Sequence, residues 1–236
     1  LSNSSSIFLN NRLNIRQIFL KKYCVLCGVA SEADLCPACL NSLPRLTSPH
    51  CRICALPAGA SDVCGACLAH PPAFDGTIAA LSYAFPVDAL IHSLKYRGNL
   101  AMASVLAELF NTLAGTIALP DFIVPMPLHP VRLRERGFNQ AMEIGRSVSR
   151  HFGAALLPEA CKRIKVTPSQ ADLPWKEREK NIKNAFVCEA NLTGKRIAIL
   201  DDVLTTGATL NELAKVIRRR GASEVTGWIV ARTPRH

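Results

Sequence analysis

The sequence contains no G-x-x-x-x-G-K-[ST] segment, and no apolar run in it leads into G-x-G-x-x-G. The first absence excludes a Walker A loop and the second a Rossmann dinucleotide fold. No apolar run reaches the roughly 20 residues needed to cross a bilayer. Residues 1–20 lack the continuous apolar core and small-residue cleavage site of a secretory signal, so a soluble, cytoplasmic protein is expected, with any inner-membrane association made through partners. Aromatic residues are scarce, at 6%, which limits the surface available for stacking on bases. Acidic residues are outnumbered, 18 against 28 Lys and Arg, for a net charge of +10. The excess is concentrated in residues 132–183, with 12 basic against 6 acidic side chains, and favours polyanionic ligands.

Cysteine is abundant by contrast, and unevenly placed. Eight of the ten form four C-x-x-C pairs: Cys24/Cys27, Cys36/Cys39, Cys51/Cys54 and Cys64/Cys67. Two such pairs complete a tetrahedral site of four thiolates, so two zinc ions are expected. Pairing in sequence order and crossed pairing are both compatible with the spacers of 8, 11 and 9 residues. A disulfide framework would require an oxidising compartment. Gly28, Pro37, Pro57 and Gly65 suit tight knuckles, and His50 and His70 flank the cluster without being needed as ligands. Cys161 and Cys188 stand alone and read as core residues.

The Pro71-Pro72 pair marks a boundary. Three regions are expected: an extension over 1–20, a zinc-binding module over 21–72 and an α/β domain over 73–236. In the last, apolar strands (77–85, 121–128, 184–190, 196–202, 225–232) alternate with helical patterns (86–96, 99–115, 138–153, 207–220), which indicates a mainly parallel sheet flanked by helices. The segment 165–184 has no clear period and reads as a long functional loop. Arg218, Arg219 and Arg220 complement the C-terminus of the last helix, before Gly221.

The segment RIAILDDVLTTGAT (196–209) carries the most chemistry. An apolar strand ends in Asp201 and Asp202, a loop of Thr205, Thr206, Gly207, Ala208 and Thr209 follows, and a helix begins. Helix N–H groups and threonine hydroxyls suit a phosphate, while the acids suit ribose hydroxyls or a hydrated Mg2+. The strand at 121–128 opens into a second, basic loop with Arg132, Arg134, Arg136 and Gly137, placed to meet a diphosphate. Asn139 and Gln140 read as caps of the next helix.

The Asp-Asp-x-x-Thr-Thr-Gly-x-Thr string closely resembles the phosphoribosyl-diphosphate (PRPP) signature of type I phosphoribosyltransferases. The resemblance implies that Asp201 and Asp202, the catalytic candidates, contact the ribose hydroxyls while residues 205–209 wrap the 5-phosphate. Over residues 21–235 the chain resembles the ComF/GntX family, which joins a zinc finger to a type I phosphoribosyltransferase-like domain. The markers are the cysteine pairs, SLKYRG (93–98), VPMPLHPVRLRERGFNQA (124–141), TPSQADLPWKEREKNIKNAF (167–186), the 197–209 string and ARTPR (231–235). The resemblance implies a role in natural transformation, handling single-stranded DNA, with a DNA-uptake helicase or another competence protein as partner. It implies cover contacts from Arg163, Lys165, Gln170, Arg178 and Asn181. Trp175, Phe138 and Tyr96 are candidates for base stacking. Three functions are compatible with these residues: a DNA-binding adaptor with a retained phosphoribosyl site, which is favoured, a Mg2+-dependent transferase of unknown acceptor, and a PRPP-sensing regulator. No residue stands out as a general base for an acceptor.

Overall fold

The computed structural model describes residues 22–59, 61–115, 117–166 and 181–234. The chain divides into two compact units, Leu1–Asn41 and Ser42–His236, so the division falls within the cysteine-rich segment. The smaller unit holds strands β1 (Lys22–Tyr23) and β2 (Ala30–Ser31), paired antiparallel, and helix α1 (Pro37–Asn41). Its knuckle closes through Gly28 N–H to Cys24 O (2.8 Å), with Gly28 in the left-handed region at φ 73°. Pro37 opens α1, where its missing N–H costs nothing. Among the described residues of this unit only Cys24, Leu35 and Cys36 are buried.

The larger unit begins with a second knuckle and a short helix α2 (Gly65–Ala69). A five-stranded sheet follows, in the order β3 (Gly76–Ser82), β9 (Glu224–Arg232), β8 (Arg196–Leu204), β4 (Phe122–Pro125), β5 (Ala155–Leu156). Every neighbouring pair is parallel. The helices are α3 (Val87–Arg97), α4 (Ala101–Leu113), α5 (Pro130–Arg136), α6 (Gln140–Phe152) and α7 (Ala208–Arg219). Side chains alternate between sheet faces. Trp228 therefore points to one face, where it packs on Phe110 of α4 (5.6 Å between rings) and Phe152 of α6 (5.1 Å). Gly227 looks to the other face, where an added Cβ would lie 2.8 Å from Leu210 of α7. Glycine at 227 is what lets α7 close on the sheet. Buried aliphatic residues of β8 and β9 (Ile197, Ile199, Leu200, Ile229, Val230) fill the layer between.

The α/β class expected from the sequence, a mainly parallel sheet flanked by helices with a cysteine-rich module, is the fold observed. Several elements differ in detail. The basic segment after β4 is a helix, α5, and not a loop: His129 caps it through Nδ1, which accepts from Val131 N–H, and Pro130 starts it. β8 runs on to Leu204, so the acidic pair lies inside the strand. The 184–190 strand is shorter, β7 (Phe186–Cys188), and pairs antiparallel with β6 (Cys161–Arg163) apart from the main sheet. Cys161 is buried and faces the half-buried Cys188 across this pair. Of the long 165–184 segment, residues 167–180 lie outside the described residues, as do Gln170, Trp175 and Arg178; residues 1–20 do so as well.

Candidate ligand pocket and metal sites

In parallel α/β sheets, ligands bind beyond the carboxyl ends of the strands. There the larger unit has a cavity of about 460 Å3, a size that suits a small-molecule ligand. Asp201, Asp202, Val203 and Leu204 of β8 form part of its lining. Asp201 turns one oxygen onto the next backbone amide, accepting from Asp202 N–H at 2.9 Å. Asp202 is 2% exposed and pairs with Lys95 Nζ at 2.7 Å. Lys95 projects from α3, within the SLKYRG segment. Burial pushes the Asp201 carboxyl well above the usual carboxylate range, the Asp202 charge pushes it further, and Lys95 opposes both. Burial alone would lower the Lys95 ammonium, but the charges of Asp202 and Asp201 hold it above its ordinary value. The two adjacent acids thus differ: Asp202 is buried against Lys95, while Asp201 is only half-buried at the cavity, where it can meet a ligand.

The hydroxyl loop turns at Gly207, whose φ of 85° is the left-handed region a side chain disfavours. Thr205, Gly207 and Thr209 line the cavity; Thr206 and Ala208 are not part of its lining. Thr206 instead accepts from Ala208 N–H through Oγ1 at 3.1 Å and holds the first turn of α7 in place. Behind the loop, Arg232 is 3% exposed and donates to the carbonyl oxygens of Leu204 (2.8 Å) and Thr205.

The opposite wall is basic. Arg132 and Arg136 of α5 and Arg163 of β6 line the cavity, whereas Arg134 is exposed outside it and Gly137 only ends the helix. Arg136 donates to Gln140 Oε1 (2.6 Å) and lies over the Tyr96 ring at 5.8 Å. Asn139 ties this wall to the sheet: its Nδ2 donates to Met126 O (3.1 Å), and its Oδ1 caps α6. Phe138 is half-buried and Tyr96 is exposed at the cavity edge, 4.6 Å from the His92 ring. With Lys95, Arg132, Arg136 and Arg163 against Asp201 and Asp202, the lining carries a cationic excess. It suits an anion that also presents hydroxyls. Lys95, Tyr83, His92 and His129 also belong to the lining, with no site role expected from the sequence; SLKYRG points to Lys95 and the HPVRLRERG stretch to His129, and no motif marks the other two.

The eight clustered cysteines form two groups in sequence order, Cys24/Cys27/Cys36/Cys39 and Cys51/Cys54/Cys64/Cys67, with the sulfurs in each within 4.8 Å of one another. Cys27 and Cys36 Sγ are 3.7 Å apart, as are Cys54 and Cys64 Sγ. Four sulfurs about 2.3 Å from a tetrahedral zinc stand about 3.8 Å apart, so both groups fit the ion. Burial pushes the Cys24 thiol up, but the backbone N–H groups of Cys36, Cys27 and Leu26 draw it down to about 6. Cys39 is pushed up to about 12, first by Cys27 and Cys36. Unequal thiols sharing protons are what a divalent cation replaces on binding.

Residues 15–68 match the family model of a double zinc ribbon domain, a range that contains both groups and, with their geometry, supports two zinc ions. The chain is 36% identical over 206 residues to the DNA utilization protein YhgH of Escherichia coli K12, covering 84% of this chain and 90% of that protein. It belongs to the ComF/GntX family. Competence protein F of Haemophilus influenzae, another relative, is 33% identical over 212 residues, or 86% and 92% of the two chains. Among solved structures, the allosteric regulatory enzyme of purine biosynthesis is similar over 54% of this chain at 21% identity and TM-score 0.36; the match spans 26% of that enzyme. Among the described residues, no helix is long and apolar enough to cross a membrane.

Proposed function

We propose that this protein is a competence-type DNA-utilisation factor whose larger unit binds PRPP or a related phosphoribosyl ligand with Mg2+. The relatives' names, a DNA utilization protein and a competence protein, supply the biological setting. The observation that carries the ligand class is the cavity itself. It combines Asp201, a threonine-glycine turn at the start of α7, and arginines on the facing wall. The loop takes the 5-phosphate, Asp201 the ribose hydroxyls, and Arg132 and Arg136 the diphosphate. Mg2+, when bound, supplies charge neutralisation between the acids and the phosphates.

Two of the candidate bases in the lining, His129 and Tyr83, speak for binding rather than turnover. His129 Nδ1 accepts from Val131 N–H, so Nε2 carries the proton and is a donor, not a base. Burial raises the Tyr83 phenol above its ordinary value, which disfavours a phenolate base. Transfer to an acceptor is the competing reading, and Mg2+-dependent diphosphate release with a defined acceptor would establish it.

Isothermal titration of Mg2+-PRPP tests the reading. Replacing both Asp201 and Asp202 by Ala is expected to weaken binding at least about tenfold, equal to about 1.4 kcal/mol. Equal affinity in the double variant overturns the claim. The pH dependence has a definite sign. The raised carboxyl of Asp201 must lose its proton to meet Mg2+ or to accept from two ribose hydroxyls, so affinity rises with pH through that raised value and levels off above it. Asp201→Asn is expected to remove the slope.

Single-stranded DNA is the proposed macromolecular partner, tracked by exposed cations such as Arg134, with a DNA-uptake helicase as the proposed protein partner. Anisotropy of a labelled single strand should fall steeply with salt. A salt-independent signal, or one unchanged by Arg134→Ala combined with Arg132→Ala, counts against DNA.

A further inference from the structure

Arg232 closes β9 as a buried cation at 3% exposure. Its guanidinium bridges two places that the sequence separates by about 150 residues. On one side Nε donates to Cys54 O at 2.8 Å, within the second cysteine knuckle. On the other, Nη1 donates to Leu204 O at 2.8 Å and to Thr205 O, at the root of the hydroxyl loop. Thr233 reinforces this side, with its N–H donating to Leu204 O at 3.1 Å and its hydroxyl to the same oxygen at 3.3 Å.

In a trans peptide the C=O and the next N–H point in opposite directions. Holding the carbonyls of Leu204 and Thr205 therefore aims the N–H groups of Thr205 and Thr206 away from the guanidinium. Thr205 lines the cavity and Arg232 does not. The guanidinium is planar and rigid, so a displaced Cys54 carbonyl pulls on the same group that orients the loop.

We propose that Arg232 is a positioning residue that couples the second four-cysteine site to the phosphate-binding loop, so that metal in that site and ligand in the cavity stabilise one another. The ligand half of the coupling rests on the phosphoribosyl reading above. Coupling of this kind is reciprocal: whatever tightens the loop tightens the knuckle. The first four-cysteine site has no part in it.

Zinc transfer to a chromophoric chelator tests the coupling, with and without saturating Mg2+-PRPP. Cys27→Ser, which keeps only the second site, assigns the phases. In the full chain, ligand is expected to slow release from the second site about fivefold or more and to leave the first unchanged. Arg232→Lys keeps the charge but cannot span both sides, and should abolish the ligand dependence. A merely structural arginine would change both release rates and leave their ligand dependence intact. Protein that binds Mg2+-PRPP yet releases second-site zinc at the same rate with and without it overturns the coupling.

A ligand-free arm separates this from the functional reading. Amide exchange over residues 204–209 should quicken about fivefold on zinc removal, with 197–200 in the same strand unchanged as the control. If Mg2+-PRPP does not bind, the phosphoribosyl reading fails, and exchange alone decides: quickening at 204–209 supports the coupling, and no change overturns it. If Arg232→Lys does not fold, the wild-type arms decide in the same way.

Discussion

The two cysteine knuckles share a backbone but not their surroundings. In the first, Cys24 N–H donates to Val29 O, Gly28 N–H to Cys24 O and Val25 N–H to Asp34 O. In the second, Cys51 N–H donates to Leu56 O, Ala55 N–H to Cys51 O and Arg52 N–H to Asp62 O. The turns are the same hydrogen-bonded object built twice. Around the first, the buried described residues are two ligands and Leu35, so metal ligation supplies most of its folding energy. The second is joined to the sheet: Thr77 N–H of β3 donates to Arg52 O at 3.0 Å, Arg232 to Cys54 O, and Leu43, Ala55 and Leu56 are buried. The comparison shows one motif in two roles, a self-contained metal-folded knuckle and a bracket under a ligand site.

Removing one ligand from each site breaks the comparison most forcefully. Cys27→Ser should lower the native mass by one zinc and leave the unfolding midpoint of the larger unit where it was. Cys54→Ser should lose the other zinc and lower that midpoint by about 10 °C, since a few kcal/mol is worth roughly 2–4 °C each in a domain of this size. Equal midpoints in calorimetry would show that the second knuckle is no bracket.

Next in size is the buried ion pair beneath the cavity. Lys95→Met leaves the Asp202 carboxyl, at 2% exposure, without its partner. Breaking a buried pair from one side costs about 3 kcal/mol, and the double variant with Asp202→Asn should recover most of it. The loss should appear in denaturant unfolding of the larger unit and leave zinc release from the first knuckle untouched. A change at the first knuckle would mean that the two regions are less independent than their surroundings indicate.

Much of this is legible in the sequence, for local reasons. Cysteine spacing announces both metal sites, and the apolar run ending in Asp201 and Asp202 announces the central strand and the cavity edge. Asn139 reads as a cap because capping is chemistry between near neighbours. What stays hidden depends on contacts between distant segments. Sequential pairing of the cysteines is a matter of three-dimensional closure. Lys95 reaches Asp202 from a helix more than 100 residues earlier, and nothing in its own neighbourhood marks it as the counter-ion. α5 reads as a loop in the sequence because its seven residues bury nothing and so carry no periodic pattern. β5, at two residues, is too short for any period to show.

The finest contrast between the knuckles lies at the turn residue, Gly28 in one and Ala55 in the other, with φ of 73° and 57°. Both hold a left-handed conformation that costs a side-chain-bearing residue about 1 kcal/mol. A Cβ at Gly28 would meet nothing within 4 Å, so Gly28→Ala adds backbone strain and no compensating contact. It should weaken zinc binding at the first site about fivefold, equal to about 1 kcal/mol. Ala55 is 2% exposed, so its methyl is packed in the larger unit. Ala55→Gly relieves the strain but gives up a buried methyl worth about 0.8 kcal/mol and adds chain entropy to the unfolded state. The terms nearly cancel, and second-site affinity should shift by less than about threefold, toward weaker binding. Competition titrations with a zinc chelator measure both. A clear gain from Ala55→Gly would mean that packing around the second knuckle contributes less than its burial indicates, and that the metal holds it as it holds the first.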